Sequence, residues 1–152
     1  MKIEEYLSTL PQSILSGEEI QIPPDTIREI FRFANLGKND IFYHLGCGDG
    51  TSLSIAREEF DVKNAIGIDK SKKMINTAKK MIDEKNISDA KVIEQDILEA
   101  EFSDASVILC WFMDPEILEK MIEKFEKLKN DTKIITIWAP LPGCVPQKVY
   151  FP

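Results

Sequence analysis

Five short apolar runs alternate along the chain with longer stretches in which apolar residues recur every three or four positions. The runs Ile41 to Leu45, Ala65 to Ile68, Lys91 to Gln95, Ala105 to Phe112 and Lys133 to Ala139 read as strands, each bounded by turn-forming or charged residues. Pro24 suits a first helical position, and Ile27, Ile30, Phe31 and Ala34 predict a helix from about Asp25 to Leu36, with Gly37 as its stop. Leu53 to Phe60 reads as the next helix. Ser71 is placed to cap a third, carrying Met74, Ile75, Ala78, Met81 and Ile82 on one face. Asp114-Pro115-Glu116 opens a fourth, from Pro115 to Lys129, with Ile117, Leu118, Met121, Ile122, Phe125 and Leu128 on its apolar side. Strands too apolar to face water, alternating with helices, specify an α/β fold with a parallel sheet and helices on both faces.

Residues 1–22 read as an N-terminal arm, and 23–152 as one domain. Beyond Trp138 the sequence turns to Pro and Gly, and only Val149-Tyr150-Phe151 has strand character. The fifth strand is thus expected to be a bare edge, open to pairing. Truncation, the N-terminal arm and a partner chain are the three ways in which the sheet would be completed, and truncation is the first expectation.

The first strand delivers the chain into Gly46-Cys47-Gly48-Asp49-Gly50-Thr51. Alternate glycines take backbone angles closed to other residues and let a ligand press against the main chain. A dinucleotide-binding turn would need glycine at 51, where Thr51 stands, so nicotinamide chemistry is disfavoured. In a parallel sheet, ligands gather beyond the carboxyl ends of the strands. Asp69 ends the second strand, Asp96 follows the third, and Cys110, Trp111 and Phe112 close the fourth. A carboxylate at Asp69 suits the paired hydroxyls of a ribose, the other reading being a cap ahead of Ser71. Asp96 is a turn former as much as a ligand. Trp111 and Phe112 either stack on a ligand or belong to the core. His44 is open to three readings: a satisfied core imidazole, a ligand-binding group that accepts one hydrogen bond, and, last, a catalytic base. Asp114 reads as a helix cap.

The formal net charge of −7 over 152 residues argues against unspecific nucleic-acid binding and favours basic partners. Cys47, Cys110 and Cys144 lack metal-ligand spacing, so no metal is expected, and their odd number points to a reducing cytoplasm. No apolar run approaches the roughly 18 residues that cross a bilayer.

Leu45-Gly46-Cys47-Gly48-Asp49-Gly50 resembles motif I of the class I S-adenosylmethionine (SAM) dependent methyltransferases. The fuller pattern from Ile22 to Ile137, with Ile22-Pro23-Pro24 before the first helix and Gly67-Ile68-Asp69 ending the second strand, resembles the small archaeal protein lysine methyltransferases and the Dot1-like methyltransferase domain. That resemblance implies a Rossmann-like sheet, SAM as cofactor, S-adenosyl-L-homocysteine as product and methyl transfer to a lysine amine of a basic protein. It implies that the turn, including Cys47, Asp49 and Thr51, wraps the methionine end, with Pro23 and Pro24 closing over it. It also implies that Asp69 and Lys70 lie at the ribose, that Gln95, Asp96 and Ile97 lie at the adenine with Asp96 accepting from its amino group, and that Cys110 lines the cofactor site. Trp111, Phe112 and Trp138 would wall the substrate channel, and no residue stands out as a catalytic base. Three departures mark the chain: His44 where the family carries Asp or Glu, no Thr beside Pro24, and no sequence for the last strands. A small-molecule methyltransferase and a SAM-binding module of little activity are the alternatives.

Overall fold

The computed structural model describes residues 21–111, 114–137 and 140–149. The N-terminal arm up to residue 20, Phe112, Trp138, Ala139, Tyr150 and Phe151 lie outside them. Five strands, β1 (Ile41–Leu45), β2 (Asn64–Asp69), β3 (Ala90–Glu94), β4 (Val107–Cys110) and β5 (Lys133–Thr136), form a sheet in the order β3-β2-β1-β4-β5. Every pairing is parallel. The helices are α1 (Pro24–Phe33), α2 (Thr51–Glu58), α3 (Lys72–Glu84) and α4 (Pro115–Glu126). The sequence-predicted fold class is thus realised.

Residues of β1 alternate between two cores because successive side chains leave opposite faces of a strand. Phe42 points toward α1, α2 and α3, where it meets Ile27, Phe31, Leu53, Ile75 and Ala78. Tyr43 and Leu45 point the other way, toward Met121 and Phe125 of α4 and toward Phe102 in the loop after β3. Among the described residues, three helices therefore cover one face, and one helix with a loop covers the other. Phe31 is fully buried, edge-on to both Phe42 and Phe60.

Element ends differ from expectation for local reasons. α1 stops at Phe33, and the left-handed residue beyond it is Asn35 (φ +53°) rather than Gly37. Asn tolerates that region, and the Gly37 amide instead donates to Asp40 Oδ2 at 2.9 Å. α2 starts two residues before its first apolar position: Gly50 is its N-cap, and Asp49, one residue earlier, accepts from the Thr51 amide. β4 is shorter than its apolar run, which continues into a turn before it, and β5 ends at Thr136. Val149 carries no strand. Among the described residues β5 is an edge of the sheet. Lys133 Nζ donates to Ala34 O at 2.9 Å and Lys148 Nζ to Phe33 O at 2.8 Å, so β5 and the segment after it both tie onto the end of α1.

Candidate functional site

The strand order reverses between β1 and β4, which opens a crevice beyond their carboxyl ends. The glycine turn fills its floor. Gly46 N and Cys47 N both donate to Ile68 O, at 2.7 and 3.1 Å, so the chain swings over the end of β2. Gly46, Gly48 and Gly50 all have positive φ, between +56° and +83°. Beneath the turn the Cys47 side chain points into the core, and a methyl group at Gly67 would meet its Sγ at 2.6 Å. Gly67 is therefore the space that seats the turn. A methyl at Gly50 would meet Ala78 Cβ at 2.9 Å, so that glycine also lets α2 and α3 close together.

Two carboxylates organise the turn. Asp49 Oδ1 accepts from Thr51 N at 3.0 Å and from Thr51 Oγ1 at 2.7 Å, which spends both side chains on the start of α2. Asp69 Oδ2 accepts from Gly48 N at 2.9 Å and Oδ1 from Ser71 N at 2.9 Å. Ser71 itself caps α3, its hydroxyl accepting from Met74 N, and Asp69 holds the amide of that cap while its carboxylate sits against the middle glycine. A carboxylate has roughly four acceptor directions, so these two bonds leave room for further donors.

His44 Nδ1 lies 2.6 Å from Ser52 Oγ, and both residues are buried. Burial pushes the imidazole down to about 4, against the opposing charges of Asp69 and Asp49. It is neutral at pH 7, a satisfied imidazole beside the turn. Burial also raises the Cys47 and Cys110 thiols to about 12, so neither is a thiolate. Cys110 belongs to the second core, with its Sγ toward Ile135 O.

Around the third strand, Gln95 N donates to Asp69 O at 3.0 Å, which joins the two strand ends. Asp96 Oδ1 accepts from Leu98 N at 3.0 Å and the residue is exposed; Ile97 is half-buried on the second core. Lys124 from α4 steadies this loop by donating to Leu98 O and Ala100 O, at 2.9 and 2.8 Å. Lys70 is exposed, Pro23 is the N-cap of α1 and Pro24 its first residue. Trp111 is half-buried just past β4; Phe112 and Trp138 lie outside the described residues.

Three contributors carry no sequence signal: Ser52, which satisfies His44; Lys124, which grips the loop after β3; and Gln21, whose carboxamide lies over Gly48. Each acts across a turn or between elements, where periodicity is silent. Among the described residues no cluster of His, Cys, Asp or Glu is arranged to hold a metal ion, and no helix is long and apolar enough to cross a membrane.

A glycine-lined cradle with an acidic group on the adjacent strand end fits an adenosyl cofactor, and known proteins agree. The family model of the ANTKMT methyltransferase domain matches residues 44–148. A protein-lysine N-methyltransferase of Saccharolobus islandicus is 28% identical over 132 residues, spanning 86% of this chain and 81% of the relative. The solved RNA methyltransferase of Salinibacter ruber with S-adenosyl-L-homocysteine superposes with a TM-score of 0.72 at 21% identity, over 87% of this chain and all of that one. A SAM-dependent methyltransferase of Geobacter sulfurreducens with the same ligand gives 0.66 at 18% identity, over 84% of this chain and 55% of that one. The chain belongs to the ANTKMT methyltransferase domain family and is a SAM-dependent methyltransferase.

Proposed function

We propose that the protein methylates lysine side chains of basic proteins. The observation that carries this is the match to the Saccharolobus protein-lysine N-methyltransferase along most of both chains. The net charge of −7 supports it, since an acidic protein attracts lysine-rich partners and repels polyanions such as RNA.

In this reading the turn from Gly46 to Thr51 holds the methionine end, with Pro23 and Pro24 beside it. Asp69 accepts from the ribose hydroxyls, with Lys70 at the rim. Asp96 accepts from the adenine amino group, and Gln95, Ile97 and Cys110 shape its surroundings. Trp111 walls the lysine channel. When bound, SAM supplies a methyl group already activated on a sulfonium. The protein aligns the lysine nitrogen and keeps water away, which is where most of the rate advantage of such a site arises. The lysine nitrogen forms its bond to carbon as the carbon–sulfur bond breaks, the electron pair stays with sulfur, and a proton passes from nitrogen to solvent. Making the neutral amine at pH 7 costs about 4.6 kcal/mol from a reference pKa near 10.4, and apolar walls lower that cost by disfavouring the ammonium.

Mass spectrometry tests this directly. Incubation with SAM and a mixture of basic proteins is expected to add the mass of one methylene, or multiples of it, to lysine residues. Labelling of RNA or of a small amine instead, with lysines unmodified, overturns the assignment.

A further inference from the structure

We propose that Gln21, in the segment entering α1, is the side chain that binds the amino-acid end of the cofactor. The inference rests on the cofactor assignment and adds a residue outside the glycine turn. A methyl group built on Gly48 would lie 2.6 Å from both Nε2 and Oε1 of Gln21. The end of the carboxamide thus meets the middle glycine, where no Cβ holds it away. The segment is held there on its C-terminal side. Ile22 packs onto the first core, and Pro23, with φ of −58°, leads directly into α1.

The need for such a group follows from the hydrogen bonds of the turn. Of the six amides from Gly46 to Thr51, five already have acceptors within the protein: Gly46 and Cys47 give to Ile68 O, Gly48 to Asp69, Gly50 to Cys47 O and Thr51 to Asp49. The turn therefore supplies shape but few donors. The amino-acid end of SAM is a zwitterion, whose carboxylate needs a donor and whose ammonium needs an acceptor. His44 brings no charge, and its Nδ1 is taken by Ser52. A carboxamide presents both functions at once, two N–H donors and a carbonyl acceptor. Among the described residues the Gln21 carboxamide has no hydrogen-bond partner of its own, and the residue is exposed.

Calorimetry with two ligands tests the assignment without reference to turnover. S-adenosylhomocysteine carries the amino-acid end, whereas 5′-methylthioadenosine keeps the nucleoside and lacks it. Gln21→Ala is expected to weaken S-adenosylhomocysteine about tenfold, as loss of a hydrogen bond to a charged group does, and to leave methylthioadenosine unchanged. Gln21→Glu, which faces the carboxylate with like charge, should weaken the first ligand at least as much and again spare the second. Unchanged or tighter binding of S-adenosylhomocysteine by Gln21→Ala overturns the proposal, the latter identifying the side chain as a plug. Equal weakening of both ligands overturns it in favour of a scaffold role. A native protein that binds neither ligand removes the cofactor assignment itself, a result distinct from all of these.

Discussion

The two halves of the sheet end very differently. Beyond β1, β2 and β3, polar groups are paired inside the protein: the turn amides to Ile68 O and Asp69, Thr51 to Asp49, His44 to Ser52, Gln95 to the main chain of Asp69. Just past β4 and β5 the described residues Trp111 and Ile137 are apolar and half-buried. The first half is fixed before any ligand arrives, as preorganised recognition of a constant cofactor demands. In the reading proposed above, the second half selects an acceptor by shape and by removing it from water.

That contrast is open to test from its firmest point outward. Gly50→Ala attacks the rigid half hardest, because the residue has φ of +80° and a methyl would press on Ala78 at 2.9 Å. Left-handed strain and overpacking together should remove about 3 kcal/mol in urea denaturation; a loss below about 1 kcal/mol would show that the turn is more pliable than its hydrogen bonds suggest. Asp69→Ala comes next. It should lower S-adenosylhomocysteine affinity about a hundredfold, or about 2.7 kcal/mol, and also lower Tm, since Gly48 N and Ser71 N lose their acceptor. An unchanged affinity refutes the ribose role.

The buried imidazole gives a smaller, pH-dependent effect. His44 titrates near 4 in the native protein against an ordinary 6.5, with burial as the main cause. A depressed pKa means that the unfolded chain takes up the proton first. The stabilisation is therefore complete above about pH 6.5 and is lost as the pH falls toward 4. Between pH 7 and pH 5 the native protein should lose about 2 kcal/mol more than a His44→Asn variant; parallel pH profiles for the two proteins would contradict this. The smallest effect belongs to the apolar half. Trp111→Ala should reduce kcat/KM for a lysine substrate about tenfold, about 1.4 kcal/mol, with S-adenosylhomocysteine affinity intact. Loss of cofactor affinity instead would place Trp111 in the first half.

The same division explains what was legible in the sequence. Strand and helix existence came through because β1 and β4 are buried on both faces and the helices carry long apolar stripes. The turn was legible because glycine at three alternate positions has a steric reason that survives any context. Asp69 and Asp96 could be located at strand ends, but whether they cap, ligate or do both depends on geometry; both prove to accept backbone amides. Helix ends were misjudged where a polar side chain decides, as with Asp40 taking the Gly37 amide and Asp49 the Thr51 amide. Ser52, Lys124 and Gln21 were invisible for the same reason: each finds its partner by tertiary placement, and nothing in the spacing of residues along the chain records it.

The seating of Cys47 beneath the turn has an experimental use. Of the three thiols only Cys144 is exposed, so a small alkylating reagent should consume one equivalent at once and stall. Cys47 can react only when the turn lifts away from Gly67 and uncovers its sulfur. Its modification rate is then a native clock for how often the cradle opens, and any molecule that occupies the cradle will slow that clock in proportion to the time it stays bound.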